Sequence, residues 1–292
     1  MNAKKTIQTV GLVTKYNYEP VDQAAKGIKQ WLEERGVTVW QSDSTLAGVD
    51  ITTLPKLDLV LVLGGDGTII SVARRLLALQ APVAGVNFGK VGFLAELTNE
   101  TWAQALEKVL QEGVKVEERV SLHYTLQRQG RCLIEGDVIN DVVITRGKTA
   151  RLVRLDLSLE GEPLMQLRSD GLIMSTPTGS TGYACSAGGS LLAPTLDAYI
   201  VASICPFLNV FSPLVLESNA VFGVHLPDPT LDLYLTLDGQ ETIALETDDI
   251  LQVQGASQRF LLTTMGQEGY VERLRRAGFI HTQTAPYTAI EG

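Results

Sequence analysis

The sequence predicts an α/β amino-terminal domain with an open, mostly parallel sheet, followed by an all-β, sandwich-like domain. Three observations carry this expectation. Short apolar runs alternate with amphipathic helical patterns from Ile7 to about Gly113, which is how a doubly wound layer is built. Beyond Val120 the segments become short, β-rich and separated by turns, as antiparallel sheets are. The length of 292 residues lies near the size at which single cores stop growing, so two domains are expected.

Residues 7–13 read as the first strand. Val21, Ala24, Ala25, Ile28, Trp31 and Leu32 then recur at helical spacing, with Gly36 following as a carboxyl-terminal cap. The apolar run 57–63 is a buried strand. After the turn at residues 64–67, Ala73, Leu76 and Leu77 mark a helix opening at about Thr68. Residues 82–86 form the next strand, and Trp102, Ala105, Leu106, Val109 and Leu110 mark a third helix. In the β-rich part, strands are expected at 121–127, 138–145, 152–159 and 232–237, and a short final helix at 269–278. The expected domains are residues 1–118 and 119–266, with 267–292 packing back on the first.

Composition narrows the classes. A formal charge of −9 argues against nucleic acid or an anionic membrane as partner, since both need a basic surface. Cys132, Cys185 and Cys205 form no metal-ligand spacing and read as reduced thiols. No export signal precedes the first strand, so a cytoplasmic location is expected. The uncharged stretch 198–216 approaches membrane-spanning length, but Pro206, Asn209 and Pro213 interrupt it, and it is read as buried strands and a turn.

Three groups of residues point to chemistry. Gly64-Gly65-Asp66-Gly67 follows a buried strand, the position where α/β proteins bind ligands. Its glycines admit a phosphate close to the backbone. A carboxylate there either binds metal, engages a substrate hydroxyl or merely caps the helix. Residues 175–186 crowd Ser, Thr and Gly around Tyr183, a set able to surround phosphate and ribose, or an ordinary turn cluster. Asn140-Asp141 can hold a ribose diol, and Arg146, Lys148, Arg151 and Arg154 follow, facing phosphates or lying on a solvated hairpin. His123, His225 and His281 lack triad or metal partners and are read as structural. Neither GxxxxGK[ST] nor GxGxxG occurs, which removes P-loop kinases and weakens a dehydrogenase reading.

GGDGT at 64–68, NFGKVGFLAEL at 87–97, NDVVITRG at 140–147, RSDGLIMSTPTGSTGYACSAGG at 168–189 and LDGQ at 237–240 together resemble the NAD kinases in order and spacing. The resemblance covers nearly the whole chain, and TPTGSTGY is its most specific part. GGDG alone also occurs in lipid kinases and is related to the phosphofructokinase pattern.

The resemblance implies transfer of the γ-phosphoryl group of ATP, with Mg²⁺ or another divalent metal, to the 2′-hydroxyl of the adenosine ribose of NAD, giving NADP. Asp66 would be the catalytic proton acceptor, with Gly67 against the nucleotide. Asn140 and Asp141 would bind its polar groups. Arg151, Arg168, Asp170, Thr181, Gly182, Tyr183, Ala184, Cys185, Ser186 and Gln240 would complete the dinucleotide contacts. A homodimer or homotetramer is implied. The sequence departs from the family at Asp141 and Gly182, where Glu and Ala are usual, and at Phe207 and Ser212, where His and Arg are usual. The last two changes bear on local packing, donor preference or assembly. A lipid or sugar kinase and a non-catalytic dinucleotide sensor are the competing readings.

Overall fold

The computed structural model describes residues 7–89, 92–148, 151–209, 211–227, 232–265 and 269–280. The first part of the chain contains β1 (Thr9–Thr14), α1 (Glu19–Glu33), β2 (Thr38–Asp43), β3 (Leu59–Leu63), α2 (Asp66–Leu76), β4 (Val83–Asn87), β5 (Leu97–Thr98), α3 (Trp102–Glu112) and β6 (Val116–Arg119). The β-rich part runs through β7 (Leu122–Arg128), β8 (Arg131–Val138), β9 (Asp141–Arg146), β10 (Val153–Leu159), β11 (Glu162–Ser169) and β12 (Gly171–Ser175). It continues with the single turn α4 (Tyr183–Ser186), then β13 (Ala198–Ile204), β14 (Leu214–Glu217), β15 (Phe222–His225), β16 (Leu233–Leu237), β17 (Glu241–Leu245) and β18 (Ile250–Gly255). β19 (Phe260–Thr263) and α5 (Tyr270–Arg276) close the described chain.

Among the described residues these strands form three sheets. The first has the order β2-β1-β3-β4-β19-β6, with β5 also on β4. Its pairs are parallel except β19 with β6. Side chains of α1 and α3, including Val21, Ile28, Leu32 and Leu106, pack on Leu12, Leu59 and Leu61. On the opposite face, Ile69, Val72 and Ala73 of α2 pack on Val60 and Val62. Because apolar side chains leave β3 on both faces, the strand is a continuous buried run, as parallel sheets require.

The other two sheets, β11-β10-β15-β18-β7-β8 and β14-β13-β12-β9-β16-β17, are antiparallel and face one another. Leu122, Tyr124 and Leu126 of one share a core with Val142, Ile144, Leu172 and Tyr199 of the other, the arrangement of a sandwich. The outer face of the second sheet is covered by Ala184 and Leu192 packed on Val143, Ile173 and Ile200. The fold class is therefore the expected one.

Three local features differ from expectation. β2 was not anticipated, because its residues are exposed or half-buried at a sheet edge and show little apolar alternation. The strand expected over 138–145 is broken at Ile139-Asn140 into β8 and β9. β19 lies in a segment assigned by sequence to the β-rich part, yet it pairs with β4 and β6 of the first sheet. The uncharged stretch 198–216 contains β13, a helical turn at Phe207–Asn209 and part of β14. No helix among the described residues is long and apolar enough to cross a membrane.

Candidate active site

β3 ends at Leu63, and Gly64 still donates to Val86 O at 2.9 Å, so the turn begins on the sheet itself. A Cβ on Gly64 would stand 2.7 Å from Thr68 Oγ1, whereas Gly65 and Gly67 have open space in that direction. Gly65 is the extended N-cap of α2, which opens at Asp66, two residues before the expected start. First-turn amides lack intrahelical partners and favour an anion.

Asp66 does not cap α2. Its carboxylate reaches across to the loop after β4, where Oδ2 accepts the Phe93 amide at 2.7 Å. Oδ1 accepts the amides of Leu94 at 3.1 Å and Ala95 at 3.2 Å. Three backbone donors thus fix the orientation of this half-buried carboxylate. Gly92 leaves the space the carboxylate occupies, since a Cβ there would overlap it.

The second half of the site arrives through LDGQ. Asp238 is buried and accepts backbone amides from Ile139, Asn140 and Asp141 at 2.6 to 3.2 Å. This anion satisfies the bend that separates β8 from β9. Ile139 packs into the core beneath α2, so Asn140 and Asp141 are held at the seam between the two parts of the fold. Gln240 Nε2 donates to Gly67 O at 3.0 Å and ties that seam to the glycine turn.

Asp141 is buried, and burial, followed by the charge of Asp238, pushes its carboxyl up to about 7. Burial likewise raises Asp238, against its three amide bonds and Arg74. Asn140 Oδ1 is buried and has no hydrogen-bond partner among the described residues. A cleft of about 260 Å³ opens here, lined by Asn140, Asp141, Thr145, Tyr183, Asp238 and Gly239.

Residues 175–181 are folded onto Asn140. Thr176 N and Ser175 Oγ donate to Asn140 O at 2.8 and 3.2 Å. Thr176 Oγ1 donates to Ile139 O at 2.7 Å and accepts Gly179 N at 3.0 Å. Ser180 Oγ donates to Pro177 O and accepts Leu192 N. Several of the hydroxyls expected to face a ligand are therefore the internal bracing of the turn. Tyr183, 45% exposed, presents its ring at the cleft, with Gly182 and Ser186 exposed beside it and Ala184 buried beneath. Thr181 and Cys185 are half-buried.

A separate group lies at the other end of β9 and β12. Arg146 Nε donates to Asp170 Oδ1 at 2.7 Å, and Arg168 stands 5.1 Å from the Phe207 ring centroid. In register, Asp141 pairs with Ser175 while Thr145 pairs with Gly171, so Asp170 is removed from Asp141 by about 15 Å of strand. The register thus keeps Asp170 apart from Asp141. Arg151, Lys148 and Arg154 are exposed. His123 pairs with Asp137, and His225 lies between Asp156 and Asp248, while His281 lies outside the described residues.

Sequence reasoning missed Asp238 and the amides of residues 93–95, although both lie inside motifs that were visible. It expected the final helix to pack back on the first part of the chain but did not name the contacts of α5. Arg276 Nη2 donates to Gly92 O at 2.7 Å, Arg273 pairs with Glu96, and Phe279 packs 5.7 Å from the Phe93 ring.

Both parts of the chain match known protein families. The ATP-NAD kinase N-terminal domain matches residues 46–114, and the ATP-NAD kinase C-terminal domain matches residues 139–265. An NAD kinase of Nitratidesulfovibrio vulgaris is 44% identical over 283 residues, covering 96% of this chain and 95% of the relative. An NAD kinase of Oleidesulfovibrio alaskensis is 41% identical over 276 residues, 94% of each chain. The crystal structure of yeast NADH kinase complexed with NADH shares the fold with a TM-score of 0.83 at 22% identity, over 97% of this chain and 91% of that one. An Archaeoglobus fulgidus NAD kinase in complex with ATP gives a TM-score of 0.70 at 22% identity, over 92% and 99%. With both domain models matched and full-length relatives above 40% identity, the chain belongs to the NAD kinase family.

Proposed function

We propose that Asp66 receives the proton of the 2′-hydroxyl of the adenosine ribose while the γ-phosphoryl group of ATP is transferred to NAD, giving NADP. The chain is a kinase, a phosphotransferase acting on an alcohol group. The observation that carries the assignment is the lone-pair inventory of Asp66. Oδ1 accepts two amides and is filled, while Oδ2 accepts one and keeps one lone pair. A carboxylate held this rigidly can accept one further donor in a defined direction. Phosphoryl transfer has a loose transition state, so positioning the hydroxyl matters more than strong basicity.

Asn140 Oδ1, a buried acceptor without a partner among the described residues, suits a second ribose hydroxyl. Asp141, Gly67 and Gln240 line the adjoining seam, and the Tyr183 ring offers a stacking face. Thr181, Gly182, Ala184, Cys185 and Ser186 form the wall beside that ring. Arg151, Arg168 and Asp170 serve the dinucleotide at a distance from Asp66, either at its remote end or on a second copy of the chain. The yeast complex with NADH and the archaeal complex with ATP support these two ligand classes.

Mg²⁺ enters with the donor. Among the described residues no group of three or more His, Cys, Asp or Glu could cage a metal, and Mg²⁺ commonly relies on phosphates plus one or two carboxylates. The phosphates of the donor would hold it, leaving the free acceptor position of Asp66 to the ribose hydroxyl, and when bound it neutralises phosphate charge. Three free cysteines, two of them exposed, fit a reducing cytoplasm. Assembly into a homodimer or homotetramer is supported by the exposed Phe207, Leu208 and Val215 near the edge strand β14. Light scattering on Leu208→Asp should show a smaller species than the wild-type chain.

The function is tested with radiolabelled ATP, Mg²⁺ and three acceptors: NAD, diacylglycerol and sugar phosphates. Label should enter NADP alone. Label in lipid or sugar would establish the competing kinase reading, and NAD binding without any NADP formation would establish the sensor.

A further inference from the structure

We infer that α5 positions the Asp66 carboxylate through the backbone of the 92–96 loop, with Arg276 as its positioning residue. The inference rests on the reading of Asp66 as proton acceptor. Asp66 is oriented by peptide amides rather than by a side chain, so the path of that loop decides where the carboxylate points.

The loop is held from outside at three places, all by the end of the chain. Before the amides, Arg276 Nη2 donates to Gly92 O at 2.7 Å. At the first amide, Phe279 packs on the ring of Phe93. After the last, Arg273 pairs with Glu96, both side chains being nearly buried, and Met265 N donates to Glu96 Oε2 at 3.1 Å. Arg119, also buried, lies close enough for its charge and that of Arg273 to oppose each other, and it pairs with Glu117. Burying these charges is costly in free energy and is a poor way merely to fasten a terminal helix. It is an effective way to fix one geometry.

The same helix grips the other half of the site. Tyr270 Oη donates to Leu192 O at 3.2 Å, and Leu192 N donates in turn to Ser180 Oγ at 3.1 Å. One short helix therefore braces both the loop that orients Asp66 and the turn that precedes Tyr183.

Arg276 is exposed, so its removal tests positioning with little effect on stability. In the full-length enzyme, Arg276→Ala should lower kcat about tenfold or more, leave KM for NAD within about twofold and leave Tm unchanged. Arg276→Lys should restore most of the loss. Amide hydrogen exchange at residues 93–95 should rise in Arg276→Ala. Combined with Asp66→Asn, the same substitution should cost less than about twofold, because the group it positions is gone. Unchanged exchange at residues 93–95, unchanged kcat, or a full tenfold loss in the Asp66→Asn background each overturns the inference. Normal turnover by Asp66→Asn alone would instead defeat the proton-acceptor reading, while the exchange measurement would still decide whether α5 holds the loop.

Discussion

Gly92 and Asp66 share one small volume: a Cβ on Gly92 would stand 2.2 Å from Oδ1 of Asp66 and 2.3 Å from its Cγ. The Asp66 carboxylate can reach the amides of residues 93–95 only because position 92 has no side chain. Gly92→Ala should therefore expel the carboxylate or shift the loop. We expect a folded protein that has lost about 1 to 3 kcal/mol and at least about 100-fold in kcat. Steady-state kinetics beside a urea melt would check this, and a fully active alanine variant would contradict it.

Asp66→Asn places an NH₂ group against at least one backbone donor. If the amide nitrogen takes the Oδ2 position, it meets the Phe93 amide that now donates at 2.7 Å. The variant should bind NAD by calorimetry and lose about 10² to 10⁴-fold in turnover, the usual size of general-base assistance. Near-wild-type turnover would remove Asp66 from the reaction.

The Asp141 carboxyl titrates inside the physiological range. Burial first and Asp238 second raise it from 3.8 to about 7. Between those values the folded chain keeps a proton that the unfolded chain releases, so stability falls as pH rises through the window and the full cost is present above it. The effect amounts to about 4 kcal/mol. Asp141→Asn should give a flatter stability profile between pH 4 and pH 8, measured by urea melts. An unchanged slope would mean that the carboxyl titrates normally.

Gly179 abuts the seam. A Cβ there would lie 2.4 Å from the carbonyl oxygen of Asn140 and 2.6 Å from Ser175 Oγ, and a backbone oxygen cannot swing aside. Gly179→Ala should destabilise the fold by about 1 to 3 kcal/mol and weaken NAD binding by displacing Asn140. Calorimetry on the folded variant separates the two effects.

The elements readable from sequence were those whose burial leaves a compositional trace. β3 is apolar at each position, and α1 carries a clear apolar stripe through Val21, Ala25, Ile28 and Leu32. β2, at an edge, carries no such trace. Asp66 stood out beside its glycine turn, and Asn140 and Asp141 stood out as polar side chains inside an apolar, β-like run. The donors that orient Asp66 did not, because a peptide N–H is common to nearly all residue types and only the fold selects Phe93, Leu94 and Ala95. The Arg146–Asp170 pair was hidden for a related reason: the two residues are 24 positions apart and meet only through the register of β9 and β12.

The register of β19 has a consequence for synthesis. Its Leu262 lies beside Val83 of β4, and its other edge pairs with β6, Phe260 opposite Arg119. When the ribosome has made only the first 119 residues, the sheet lacks its interior strand, and the edge of β4 around Val83 and the facing edge of β6 have no partner. That open edge persists until residue 263 emerges, roughly seven to thirty seconds later at common elongation rates. The nascent chain must therefore carry a sticky half-sheet while the whole sandwich is made, and β19, the last strand among the described residues, is the one that seals it.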